Sequence, residues 1–192
     1  MQKRPVVFDI ETKYTFRDFS DHKKLGVSVV AAYDYATGKS ETFMEDELNK
    51  LFRLFENASY VIGYNINGFD MPVLQAYYPG DITAFKTFDI LDDIKIILGR
   101  RIALNDVVGA TLGAKKSGHG LMAVDYYREG KFDELRAYCA DDTRLTKELF
   151  DYGLRTNEIY YMNEVGKVPI KVKWNKYMED SGNSEMPLAL PF

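Results

Sequence analysis

The alternation of apolar and polar positions divides the chain into short β-like runs followed by helical stretches. "RPVVFDIET" (residues 4–12), "GVSVVAAYDY" (26–35) and, after the turn signal "ATGK", "KSETFME" (39–45) read as strands of an antiparallel meander. In "EDELNKLFRLFENA", Leu48, Leu51, Phe52 and Phe55 fall at the i, i+3, i+4, i+7 positions of one helix face. "YVIGYN" predicts a short fourth strand, and "INGFDMPVLQAYY" a helix with Pro72 in its first turn. "FDILDDIKIIL", "LNDVVGATLG" and "LMAVDYYREG" read as shorter helices between Gly-containing loops, and a longer helix runs from about Phe132 to Leu154. "NEIYYMNEVGKVPIKVKW" predicts an appended β-hairpin, expected over 158–177, and the aperiodic tail 178–192 is expected to be disordered. Strands that give way to helices imply an α/β domain, here 1–157, with a mixed sheet and helices packed on it.

One strand conflicts with its own burial. Side chains alternate along a strand, so Val6, Phe8 and Ile10 share one face while Val7, Asp9 and Glu11 share the other. Two like charges on a partly buried face repel each other and lose hydration. Either that face is wet or a positive charge sits against it.

Bulk properties narrow what that charge can be. The 192 residues suffice for one domain with a sizeable core. The single cysteine, Cys139, excludes an internal disulfide framework and a cysteine-rich zinc site. The longest apolar runs fall far short of a membrane span and "MQKRPVVFDIE" lacks a signal-type apolar core, so no membrane and a cytoplasmic setting are expected. A net charge of −4 argues against a protein that grips phosphates over its whole surface. It leaves room for an acidic site whose metal ions supply the local positive charge.

Oxygen ligands for Mg²⁺ or Mn²⁺ must then come from elsewhere in the chain as well. On the long helix, Leu135, Tyr138, Asp142, Leu145 and Leu149 form one stripe, apolar apart from Asp142 and the Tyr138 hydroxyl. Asp141 falls instead with Glu134, Ala137, Arg144 and Glu148 on a solvated face. Asp142 therefore points inward, as a metal ligand or as the partner of a buried cation. Asp70, just before Met71-Pro72, reads by itself as a helix cap. "YNINGFD" reads by itself as an ordinary turn.

Taken in order, "FDIET", "GYNINGFDMPVL" and "YCADD" resemble the three exonuclease motifs of the DEDD superfamily, as found in the proofreading domain of family B DNA polymerases and its stand-alone relatives. Asp9 and Glu11 match D-x-E; Asn65, Phe69 and Asp70 match N-x₃-F-D; Tyr138 and Asp142 match the Y-x₃-D of the tyrosine subclass. The histidine subclass requires His where this chain has Ala137. The segment from "TFDILDDIKIILGRR" to "YCADDTRLTKELFDYGL" (87–154) also resembles exonuclease domains that occur alone or beside bacterial and archaeal helicase domains. The resemblance implies a ribonuclease H-like five-stranded mixed sheet flanked by helices. It implies two divalent ions, Mg²⁺ or Mn²⁺, with Asp9 bridging them, Glu11 and Asp142 on the first and Asp70 reaching the second through water. It makes Tyr138 the group that orients a nucleophilic water. The implied activity is 3′-to-5′ removal of nucleoside 5′-monophosphates from single-stranded DNA, with an exoribonuclease or a non-catalytic, helicase-associated binding module as alternatives.

For substrate contacts, the motifs point to Asn65 and Phe69 at the 3′-terminal nucleotide, and to Ile10 with the backbone around Thr12 as a wedge beside its base. Lys115, Lys116 and His119 form a cationic loop suited to phosphates or to solvent alone. Lys167, Lys171, Lys173 and Lys176, with Trp174 among them, form a basic strip on the hairpin that fits a strand, a partner or a protected edge. Asp89 reads either as a support behind the site residues or, in preference, as a helix cap, and Asp92 and Asp93 are expected to face solvent. A helicase or polymerase partner follows from the family branch alone.

Overall fold

The computed structural model describes residues 3–115 and 121–178. Five strands form one sheet: β1 (Val6–Thr12), β2 (Val27–Asp34), β3 (Lys39–Met44), β4 (Val61–Gly63) and β5 (Thr87–Asp89), in the spatial order β3-β2-β1-β4-β5. The meander β1-β2-β3 is antiparallel, whereas β4 and β5 join it parallel to β1. β1 is therefore the middle strand, with a partner along each edge. The helices are α1 (Leu48–Asn57), α2 (Asp70–Leu74), α3 (Ile90–Leu98), α4 (Leu104–Leu112), α5 (Leu121–Arg128) and α6 (Phe132–Thr156). Among the described residues, no helix is long and apolar enough to cross a membrane.

The alternation in β1 divides the interior in two. Val6, Phe8 and Ile10 enter a core with Leu51, Phe52, Phe55 and Leu74 from α1 and α2. Val7 enters a second core with Leu145, Leu149 and Phe150 of α6. A smaller cluster of Val29, Ala31, Leu135, Tyr138 and Cys139 packs the first half of α6 against β2. Each large apolar side chain fully buried in these layers contributes roughly 1.5–3 kcal/mol. That is ample to hold a few like charges together at one end of the sheet.

β5 departs from expectation, since "TFD" reads from sequence as the start of a helix. Its three residues pair with β4, and Asp89 then caps α3 by accepting from the Leu91 and Asp92 N–H groups. The helical periodicity that begins at Ile90 masks so short a strand.

The hairpin is present as β6 (Glu158–Asn163) and β7 (Gly166–Lys171). Asn163 Oδ1 accepts from the Val165 and Gly166 N–H groups at its turn. The basic strip is not a continuous exposed face, which corrects the expectation for Trp174. Its ring is 1 % exposed, stacks on Phe150 at 5.8 Å and meets Phe88 edge-on at 5.6 Å. Its Nε1 donates to Asp93 at 2.8 Å, so Asp93 does not simply face solvent either. Lys171 pairs with Glu158, while Lys167 and Lys176 sit over Tyr160 and Tyr177. The expected disordered tail lies, apart from Met178, outside the described residues.

Trp174 fits because residue 153 of α6 has no side chain. A Cβ built there would lie 2.3 Å from two Trp174 ring carbons. Gly153→Ala is therefore expected to destabilise the protein by about 1–3 kcal/mol, read as a lower thermal midpoint. An unchanged midpoint would mean that the indole is not seated against α6.

Candidate active site

β1 presents Asp9 and Glu11 on the face against which α6 packs, and α6 crosses there with the stripe expected from its periodicity. Glu11, Asp142 and Tyr138 are 9, 2 and 5 % exposed. One carboxylate oxygen from each of Asp9, Glu11 and Asp142 lies within 4.8 Å of the others. The Cys139 thiol donates to the Asp9 carbonyl at 3.4 Å and the Thr143 hydroxyl to the Ala31 carbonyl at 3.2 Å, stitching α6 to β1 and β2 on either side of Asp142. Asp141 instead pairs with Arg144 at 2.6 Å on the outer face.

Asp70 arrives from the other side of β1. Even-numbered N–H groups of β1 point toward β4, where Val6 N–H bonds the Tyr60 carbonyl. β4 ends at Gly63, so the Ile10 N–H lacks a strand partner and donates to Asp70 Oδ1 at 3.2 Å. Asp70 thus opens α2 and also extends the β1 edge. Its carboxyl is held well above the usual carboxylate range, first by burial and then by the charge of Asp9.

The loop that carries Asn65 and Phe69 is held by Asp89. This carboxylate accepts from the N–H groups of Asn65 at 2.8 Å and Asn67 at 2.9 Å as well as from α3. Burial still raises its pKa, the backbone donors working in the opposite sense. The expected cap is therefore real, but its contact with the Asn65 loop could not be read locally. Phe69 packs edge-on against Phe16 at 5.8 Å and His22 at 6.0 Å. His22 Nε2 also lies 3.2 Å from the Gly68 carbonyl. Tyr14, Phe16 and Phe19 are exposed on the same β1–β2 loop. Sequence reading missed this aromatic group; the close spacing of three aromatics before a His was the available signal.

Other expected contacts fare unevenly. The Ile10 side chain is buried in the core beneath the sheet, so what it brings to the site is its N–H. The Thr12 hydroxyl bonds the Tyr14 carbonyl. Lys115 is exposed beyond α4, and Lys116 and His119 lie outside the described residues. The Tyr138 hydroxyl is pushed well above its ordinary pKa by burial, and further by Asp142, Glu11 and Asp9. It is a protonated hydrogen-bonding group at neutral pH, not a base.

Three converging carboxylates offer hard oxygen donors of the kind a divalent cation takes. Three carboxylates gathered this closely repel one another, and a divalent cation would relieve that, so the residues fit a metal. A mixed sheet of this order, carrying acids on its middle strand and on the helix that crosses it, defines the ribonuclease H-like fold and is compatible with a metal-dependent nuclease. The chain matches the RNase_H superfamily over residues 6–153 and belongs to it.

Among curated proteins none matches the chain. Its fold is similar to that of the family B DNA polymerase from the hyperthermophilic archaeon Pyrobaculum calidifontis (TM-score 0.61, 22 % identity, 79 % of this chain and 24 % of that one). It is also similar to Trypanosoma brucei RNase D (TM-score 0.55, 19 % identity, 78 % of this chain and 57 % of that one). A GMP complex of that RNase D matches at TM-score 0.55 with 18 % identity, over 78 % of this chain and 50 % of that one. The chain thus spans between a quarter and just over half of these relatives.

Two outcomes follow for stability. Mn²⁺ at a hundred times its dissociation constant is expected to raise the thermal midpoint by roughly 5–10 °C, and Asp142→Asn to abolish most of that rise. The second concerns pH in EDTA. Asp70 has a raised folded pKa, so the native state binds the extra proton between the unfolded and folded values, and stability falls as pH rises through that window. Asp70→Asn keeps an acceptor for Ile10 N–H and removes the titration, so its midpoint should fall less steeply over the same range. Parallel curves for the two proteins would exclude Asp70 as the group responsible.

Proposed function

We propose that this chain is a metal-dependent 3′-to-5′ exonuclease that releases nucleoside 5′-monophosphates from single-stranded DNA. The observation that carries the reading is the convergence of Asp9, Glu11 and Asp142, with Tyr138 one turn before Asp142 and Asp70 on the adjoining β1 edge. Two Mg²⁺ or Mn²⁺ ions held by Asp9, Glu11, Asp70 and Asp142 would acidify a bound water and offset charge on the phosphoryl group and the leaving 3′ oxygen. Tyr138 keeps its proton and so orients the attacking water by hydrogen bonding. Asn65 and Phe69 face the 3′-terminal nucleotide, with Asp89 holding the backbone of their loop.

Stacking supplies the grip that a net charge of −4 does not. Phe16, His22 and Phe69 form a contiguous aromatic group, and unstacked bases of a single strand present faces to it. The two RNase D structures, one of them a GMP complex, support an exoribonuclease as the second reading. The match to part of a longer polymerase chain supports action beside a polymerase partner, while a helicase partner rests on the sequence resemblance alone.

Single strands of DNA and RNA, labelled at either end, test this directly with Mg²⁺, Mn²⁺ or EDTA. Expected is a ladder shortening from the 3′ end that requires metal and is lost in Asp9→Ala. Tyr138→Phe should keep the Mn²⁺-induced thermal shift and lose about a hundredfold in rate or more. Faster loss of RNA than DNA would select the exoribonuclease. Binding without cleavage of any strand would leave only a binding module.

A further inference from the structure

Arg101 and Asn65 meet outside the carboxylate cluster. Arg101 is exposed between α3 and α4, and its Nη2 donates to Asn65 Oδ1 at 2.6 Å. A guanidinium carries only donors, so the amide oxygen must be the atom that faces it. The Asn65 NH₂ is thereby directed elsewhere.

Both partners are held in place. Asn65 has φ +68°, in the left-handed region, and its N–H is bound by Asp89 at 2.8 Å. A Cβ added at Gly68 would lie 2.8 Å from Asn65 Oδ1, so the amide is folded closely over its own loop. On the other side Ile102 is buried, and its carbonyl accepts from the Tyr64 hydroxyl at 2.7 Å. Donor and acceptor thus hang from consecutive pairs, Arg101-Ile102 and Tyr64-Asn65, bonded twice. Lys at position 101 would present a point charge on a flexible stem, without the planar fork.

We propose that Arg101 is a positioning residue that locks the Asn65 amide, leaving its NH₂ as a donor to oxygen acceptors of the 3′-terminal nucleotide, phosphate or sugar. The ligand class rests on the nucleic-acid reading of the site, while the lock itself does not depend on catalysis. A pre-ordered amide spares the ordering cost that a free side chain incurs on binding.

Binding of a fluorescein-labelled oligothymidylate, followed by anisotropy in EDTA so that nothing is cut, tests the lock. Arg101→Met and Asn65→Ala are each expected to weaken binding about tenfold, the scale of one charge-assisted hydrogen bond. The double variant should bind no more weakly than Asn65→Ala alone, because Arg101 acts through Asn65. Since Arg101 is exposed, Arg101→Met should keep the wild-type thermal midpoint. Wild-type affinity in Arg101→Met would overturn the proposal, as would a double variant that loses the product of the two single effects. Wild-type protein that binds in EDTA but cuts no strand once Mg²⁺ or Mn²⁺ is supplied would refute the catalytic reading alone, with the cycle still deciding Arg101. Wild-type protein that binds no strand in EDTA would overturn the lock as a pre-ordered binding device, and loss of cleavage with Mg²⁺ and Mn²⁺ as well would refute both.

Discussion

β1 meets two opposed demands along seven residues, and the remainder of the structure accommodates them. Its even-numbered side chains, Val6, Phe8 and Ile10, anchor the core on one face of the sheet. On the other face, Asp9 and Glu11 approach Asp142 closely enough that three carboxylates share a few ångströms. Apolar burial along the same strand holds the repelling groups where water alone would separate them. Such a cluster is a poor structural device and a good cation site.

The neighbouring elements are placed to keep that geometry. α6 is fastened to the sheet through Cys139 and Thr143, on either side of the turn that delivers Asp142. β4 stops early, and the β1 N–H left beyond it becomes the hydrogen bond that fixes Asp70. Asp89 performs two tasks at the end of β5, capping α3 and pinning the Asn65 loop. The short parallel strands are therefore as much a part of the site as the acids, because their ends set where the loops begin.

How much of this was legible in the sequence depended on whether the signal was local. The period-two alternation of β1 and the helical stripe through Leu135, Tyr138, Asp142, Leu145 and Leu149 placed the acids on the correct faces. Motif order and spacing suggested their grouping before any fold was known. β5 was hidden because three residues carry too little periodicity beside a strongly helical neighbour. Trp174 was misread because its lysine-rich surroundings outweigh one apolar residue, while the decisive partner, Gly153, lies on another element. The hold of Asp89 on the Asn65 loop, and the role of Arg101, were invisible for the same reason. Their partners are Asn65 and Asn67, and only the tertiary fold brings these segments together.

The central claim is that Asp9, Glu11 and Asp142 share a divalent cation. Anomalous diffraction from a crystal soaked in Mn²⁺ tests it most directly. Expected is a peak bonded at about 2.1 Å to carboxylate oxygens of these three residues, strengthened or joined by a second near Asp70 when a nucleotide is bound. A crystal that takes up Mn²⁺ elsewhere on the surface and shows no peak among the three carboxylates would contradict it.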